Sequence, residues 1–298
     1  MSKIIIVCGP TASGKSSLAF ELAKKLNTEI ISADSLCVYK NLDIGTAKPT
    51  KEERNIVKHH LIDVVNESEN FSVFDYENMA LPIIDDLLSK GKTPIVCGGT
   101  GFYINSILYN LSYGKSCENT KIRQELNDLA KEKGNEYVYN LLQSVDKESA
   151  DKLHPNDLVR VIRALEIFYS TGEKKSNQND KAVPRYDYVA VTIDRDRQEL
   201  YNRIELRVDE MLKDGLIDEV KSLIDKGINK SHQCMQGIGY KEVYDAIISN
   251  DYSSLEYLLK LNTRHYAKRQ ITFFKKLPNL QYVSKDINIA IEQIIKML

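Results

Sequence analysis

The chain has 298 residues, is 42% hydrophobic and 28% charged, and balances 41 Lys and Arg against 42 Asp and Glu for a formal charge of −1. That length allows one large domain or two unequal ones, and the composition excludes a low-complexity or disordered chain. The near-zero net charge excludes no partner, because basic residues gathered on one face bind polyanions whatever the sum. The five cysteines (Cys8, Cys37, Cys97, Cys117, Cys234) are odd in number and form no CxxC pair, which argues against a disulfide framework or a zinc site and for a reducing compartment. No apolar run approaches the ~18 residues of a membrane span and the N-terminus leaves no room for a signal peptide, so the expectation is a soluble cytoplasmic protein.

In chain order, the first element is an apolar run over residues 3–8 that ends in GPTASGKS, Gly9 to Ser16, and opens into a helical pattern over 16–26. A strand, a G-x-x-x-x-G-K-[ST] loop and a helix in that order form a phosphate-binding loop. Gly9 and Gly14 let the backbone N–H groups of Pro10-Thr11-Ala12-Ser13 turn inward (Pro10 itself supplies none), Lys15 and the helix N-terminus add positive charge, and the hydroxyl of Ser16, followed by Ser17, is the expected ligand of Mg²⁺. The loop alone does not name the substrate, since kinases, ATPases and enzymes with a diphosphate leaving group all hold polyphosphate this way.

Short apolar runs at 29–32, 94–97 and 188–193 read as further buried strands, with a helical pattern at 75–90 between two of them. Strand alternating with helix predicts an α/β core: a P-loop NTPase-like parallel sheet flanked by helices. Asp34 follows directly on the second strand and Thr100 sits in the turn Gly98-Gly99-Thr100-Gly101 after the third, which places both at the carboxyl edge where such sheets bind ligands. As a local feature, Asp34 reads equally as a turn or helix cap.

Residues 115–175 carry three consecutive amphipathic patterns (119–133, 135–144, 156–170) with no strand between them, an all-helical insertion closed by the polar return stretch 172–181. The expected division is a core over 1–114 and 186–298 and an insertion over 115–185. Arg160 and Arg163 share a helix face there, while Val161, Ile162, Leu165 and Ile167 supply core. Two long helical patterns follow at 196–226 and 254–276. On the first, Arg203 and Arg207 are four apart and share a face; on the second, 264–276 carries Arg264, Lys268, Arg269, Lys275 and Lys276 with no acid, as phosphate contact requires.

GPTASGKS, Ala33-Asp34-Ser35 with Val38-Tyr39, Gly45-Thr46-Ala47-Lys48-Pro49, Gly98-Gly99-Thr100-Gly101-Phe102-Tyr103, Arg163-Ala164-Leu165-Glu166 and Gly237-Ile238-Gly239-Tyr240-Lys241-Glu242, in this order, resemble the bacterial tRNA dimethylallyltransferases nearly end to end. The resemblance implies transfer of a dimethylallyl group from dimethylallyl diphosphate to N6 of adenosine 37 beside the anticodon, with Mg²⁺ as cofactor and the anticodon stem-loop of tRNA as partner. Membrane and obligate protein partners are not expected. By that resemblance Asp34 is the general base, Thr100 bridges phosphate and reacting centre, and Arg207 grips the diphosphate. Contacts to tRNA fall on Ser35, Leu36, Cys37, Val38, Thr100, Arg123, Val159, Arg160, Val161, Ile162, Arg163, Arg264, Lys268 and Arg269. An N6 inside a stacked loop is out of reach, so the base must flip.

Three positions depart from the family pattern: Cys37 stands where Gln is usual, Val159 where a polar residue is common, and Phe273 where Trp is usual. A thiol cannot reproduce the paired donor and acceptor of a carboxamide, so one base contact is rerouted or supplied elsewhere. The competing readings are an isopentenyltransferase acting on free adenine nucleotides, a small-molecule P-loop kinase and a non-catalytic RNA-binding module. The helical insertion and basic helix argue against the first. The second would be expected to show catalytic-lid arginines and to bind ATP tightly, and the third would leave the phosphate loop, Asp34, Thr100 and Arg207 without purpose.

Overall fold

A computed structural model describes residues 3–110, 119–177 and 183–298, which form two compact units, Met1–Leu108 with Pro184–Leu298, and Tyr109–Val183. The expected boundary at 114/115, Cys117 and residues 178–181 of the return stretch lie outside the described residues.

The first unit opens with strand β1 (Ile4–Cys8), every residue of it buried, and helix α1 (Lys15–Leu26). Then come β2 (Ile30–Ser32), α2 (Lys51–Ile56), β3 (His59–His60), α3 (Val73–Ser89), β4 (Ile95–Gly98) and α4 (Gly101–Leu108). The helical unit holds α5 (Thr120–Lys133), α6 (Asn135–Val145), α7 (Lys147–Ala150) and α8 (Leu158–Thr171). The chain returns through β5 (Tyr188–Ile193), α9 (Arg197–Lys213), α10 (Leu216–Asp225), α11 (Tyr240–Ser249), α12 (Leu255–Phe274), β6 (Gln281–Val283) and α13 (Ile287–Ile295).

All pairings in the six-stranded sheet are parallel, in the order β3-β2-β4-β1-β5-β6. β1 is central, with Ile5 opposite Ile95 of β4 and Val189 of β5, so its continuous apolar run is what a strand covered on both faces requires. Leu18 and Leu22 of α1 and Ile291 and Ile294 of α13 pack with Ile5, Val7, Ile95 and Val191 in one core. The carboxyl ends of β1, β2 and β4 therefore open onto one edge, delivering the phosphate loop, Asp34 and the Thr100 turn together.

The single helix expected over 196–226 is two. Gly215, at φ 102°, takes a left-handed conformation that favours glycine, ends the run after α9 and starts α10 at Leu216. In the helical unit, Leu126, Val138, Leu142, Val161, Ile162 and Leu165 form a separate core. Glu166, fully buried, is held there by Arg163 (2.6 Å), Arg123 (3.0 Å) and the Asn119 backbone N–H (2.7 Å). A carboxylate removed from water needs that many donors.

Candidate active site at the phosphate loop

The loop between β1 and α1 carries three left-handed residues, Gly9 (φ 138°), Ala12 (φ 60°) and Gly14 (φ 95°). Gly14 caps α1 in that conformation, so the helix starts at Lys15 with its free N–H groups facing the loop. Ala12 is held in its strained geometry by packing against Leu200 and Ile204 of α9 and Ala267 of α12. α9 and Arg195, just before its cap, also grip the loop from outside. Arg203 Nε donates to the Ala12 carbonyl (2.8 Å), Arg195 Nε to the Ser13 carbonyl (3.1 Å), and Arg207 donates through one nitrogen to Thr11 Oγ1 (3.0 Å) and through the other to the Thr46 carbonyl (3.2 Å).

A cavity of about 450 Å³ opens beside the loop, lined by Thr11, Lys15, Ser16, Asp34, Ser35, Thr46, Arg207, Tyr266, Arg269 and Gln270. Apolar side chains line it too, among them Leu36, Val208, Met211, Leu216, Ile238 and Leu259. Burial pushes the Lys15 ammonium below its usual range, and the nearby Arg207 acts in the same direction; burial also lowers Arg207. Two desolvated cations flanking one cavity are a site that a polyanion stabilises.

Asp34 stands at the end of β2, and its Oδ1 accepts the Leu36 N–H (2.9 Å) and the Cys37 N–H (3.4 Å). The cap and the cavity-lining carboxylate are thus the same side chain. Thr100 Oγ1 accepts the Ser35 N–H (3.0 Å), and the Thr100 N–H donates to the Ala33 carbonyl (3.0 Å), so the turn after β4 is sewn to the segment after β2. The Tyr266 phenol, which lines the same cavity, is raised by burial and by the Asp34 charge. Cys37 is buried, its thiol held neutral by burial and by Asp34. Phe273 lies so close over the GGTG turn that a Cβ on Gly101 would stand 2.1 Å from its ring, and it meets Phe102 edge-on at 5.7 Å.

Several expected RNA contacts need correction. Val161 and Ile162 are sealed in the helical core and Val38 in the sheet unit, all under 5% exposed, so their side chains present nothing to RNA. The acid-free look of 264–276 holds only along the sequence, because Glu205 of α9 pairs with Arg264 at 3.2 Å. Arg163 and Arg123 spend charge on Glu166, and Arg160 pairs with Asp157 (3.2 Å) while remaining exposed. Val159, Lys268 and Arg269 are exposed.

Other residues that shape the site were not assigned a role from the sequence. The Gln270 side chain joins the loop to the Gly99 turn. Glu219 of α10 accepts the N–H groups of Asp43, Ile44 and Gly45 (2.8, 2.8 and 3.2 Å) and the Tyr240 hydroxyl (2.6 Å), fixing the segment that carries Thr46. Lys48, almost fully buried, anchors the same segment to the Tyr39 carbonyl, Asp43 and Asp63. Their motifs, GTAKP and GIGYKE, were visible; their mutual contact across the fold was not.

A family model described as IPP transferase matches residues 37–277. The chain belongs to the IPP transferase family. It is 46% identical over its whole length to a tRNA dimethylallyltransferase of Acetivibrio thermocellus, covering 96% of that protein, and 46% identical to one of Alkaliphilus oremlandii, with 94% and 90% of the two chains aligned. Among solved structures it resembles the tRNA isopentenylpyrophosphate transferase of Bacillus halodurans (TM-score 0.74, 39% identity, 100% and 95% of the chains covered). It also resembles a eukaryotic dimethylallyltransferase acting on tRNA (TM-score 0.84, 30% identity, 99% and 78% covered). Among the described residues no helix is long and apolar enough to cross a membrane.

Proposed function

We propose that this protein is a tRNA dimethylallyltransferase that moves the dimethylallyl group of dimethylallyl diphosphate onto N6 of adenosine 37, beside the anticodon. The observation that carries the reading is the convergence of the phosphate loop, Arg207 and Asp34 on one cavity that apolar side chains also line, in a chain of this family. The cations suit a diphosphate and the apolar side chains suit a five-carbon chain, a pairing that a nucleotide kinase does not need.

In this reading the N6 lone pair forms a bond to C1 of the prenyl group, the C1–O bond breaks, and diphosphate leaves into the loop. Asp34 takes the N6 proton, which makes a delocalised amine nucleophilic. Lys15, Arg207 and the α1 N-terminus stabilise the charge that grows on the leaving oxygen. Thr100, whose Oγ1 accepts the Ser35 N–H, is the hydroxyl that bridges phosphate oxygen and reacting centre in this reading.

The donor set fits Mg²⁺ bound chiefly through substrate. Among the described residues no group of three or more His, Cys, Asp or Glu side chains could hold a metal, while the exposed Ser16 hydroxyl opens α1 beside the loop. Mg²⁺ keeps waters and binds through a few protein oxygens plus phosphate, and when bound it neutralises diphosphate charge.

Incubation with labelled dimethylallyl diphosphate and unmodified tRNA is expected to label the RNA and not AMP, with EDTA abolishing turnover. Labelling of AMP at a comparable kcat/KM would move the protein to the free-nucleotide class, and turnover in EDTA would remove the metal. The cytoplasmic location expected from the sequence belongs to the same proposal.

A further inference from the structure

Gln270 of α12 is 5% exposed and lies 259 residues from the loop it touches. Its Oε1 accepts the Thr11 N–H at 2.8 Å, and its Nε2 donates to the Gly99 carbonyl at 3.0 Å. An N–H only donates and a carbonyl only accepts, so the orientation of the amide is fixed by its partners. The fit leaves no slack, since a Cβ on Gly99 would lie 2.1 Å from Nε2. Thr11 is also the residue whose Oγ1 takes a hydrogen bond from Arg207, and Gly99 immediately precedes Thr100.

We propose that Gln270 is a positioning residue that sets the diphosphate loop in register with the Thr100 turn, and so holds the leaving group in line with the attacking amine. This rests on the transferase reading above. The loop hangs from β1 and the turn from β4, and neighbouring strands fix their bases but not their tips. Within the described residues the amide is the side-chain bridge recorded between those tips. A displacement of about 1 Å in the reacting groups costs about a hundredfold in rate, so a bridge of this kind acts on kcat rather than on affinity for either substrate.

Q270E tests the idea because it keeps the shape. An ionised carboxylate still accepts from Thr11 N–H but faces the Gly99 carbonyl acceptor to acceptor, whereas a protonated one donates to that carbonyl and restores the pattern. Burial favours the protonated form. The expected result is a single-turnover rate at pH 8 at least tenfold below wild type, tRNA Kd within twofold, and a ratio of variant to wild-type rate that rises as pH falls toward 6. A rate within threefold of wild type, or a deficit that stays constant with pH, would overturn the proposal. If Q270E fails to fold, hydrogen exchange in the wild-type protein replaces it. The Thr11 amide should exchange at least tenfold more slowly than in an unstructured peptide of the same sequence, and free exchange there would overturn the bridge. Wild-type protein that protects Thr11 and binds inorganic diphosphate but transfers nothing to tRNA would sink the transferase reading and leave the bridge standing.

Discussion

Asp34 shows how one side chain answers two readings at once. Its Oδ1 closes the turn after β2 through the N–H groups of Leu36 and Cys37, while the carboxylate lines the cavity. Asn can accept the same two bonds through its own Oδ1, so Asp34→Asn keeps the turn and removes the basic oxygen. The single-turnover rate with saturating tRNA should fall roughly 10²–10⁴-fold, with tRNA affinity and melting temperature essentially unchanged. A rate within about threefold of wild type would rule Asp34 out as the base. Asp34, Lys15 and Arg207 were legible because each stands at a place that the sequence marks: a strand end, a glycine loop, an arginine pair four apart. Gln270 was not, because an uncharged amide inside a basic run carries no local signal and its partners come from two distant strands. For Val161 and Ile162 the helical spacing that reads as core agrees with their burial in the helical unit, and the run-wide RNA contact implied by the resemblance does not extend to their side chains.

Elements were legible where burial is two-sided. β1, β4 and β5 are runs of apolar residues because helices cover both faces, whereas β3 is two half-buried histidines and β6 has two exposed residues of three. Neither edge strand needs an apolar pattern, so neither announces itself. β3 is held instead by charge. Glu29, immediately before β2, accepts from His60 Nε2 (2.7 Å) and Lys92 (3.0 Å), with Lys58 at 3.7 Å. Burial pushes its carboxyl up, but the bonds from His60 and Lys92 and the lysine charges outweigh that and hold it at about 2 against an ordinary 4.5. A depressed carboxyl contributes stability that is present above the unfolded value and lost as pH falls through the folded one. Glu29→Gln should therefore lower stability by about 1–2 kcal/mol at pH 7, a figure discounted for partial exposure. The gap in urea midpoints between variant and wild type should hold from pH 7 to 5 and shrink from pH 4.5 toward 2. A gap that is the same at pH 7 and pH 3 would show that the Glu29 charge does not secure this edge.

At the scale of the whole molecule, a net charge of −1 coexists with exposed basic groups in both units, Arg160 on α8 and Lys268 and Arg269 on α12. Sequence reading found these clusters, because they are local, but weighed Arg264 equally with its neighbours; Glu205, 59 residues earlier, makes the difference. A cation already paired releases fewer counterions when RNA arrives, since part of its charge is neutralised before binding. Plots of log Kd for tRNA against log salt should therefore separate the variants. Lys268→Ala is expected to reduce the slope by about 0.7–0.9, the value for one phosphate contact. Arg264→Ala should change it by less than half as much, and Glu205→Gln, which frees the arginine, should steepen it and tighten binding at low salt. Base recognition is not touched by any of these changes, so cognate and non-cognate tRNA should shift together. If Lys268→Ala left the slope unaltered, α12 would be a solvated face and the basic groups of the helical unit would have to carry the RNA; if Arg264→Ala and Lys268→Ala were equal in effect, the Glu205 pair would open on binding and its charge would be fully available to the backbone.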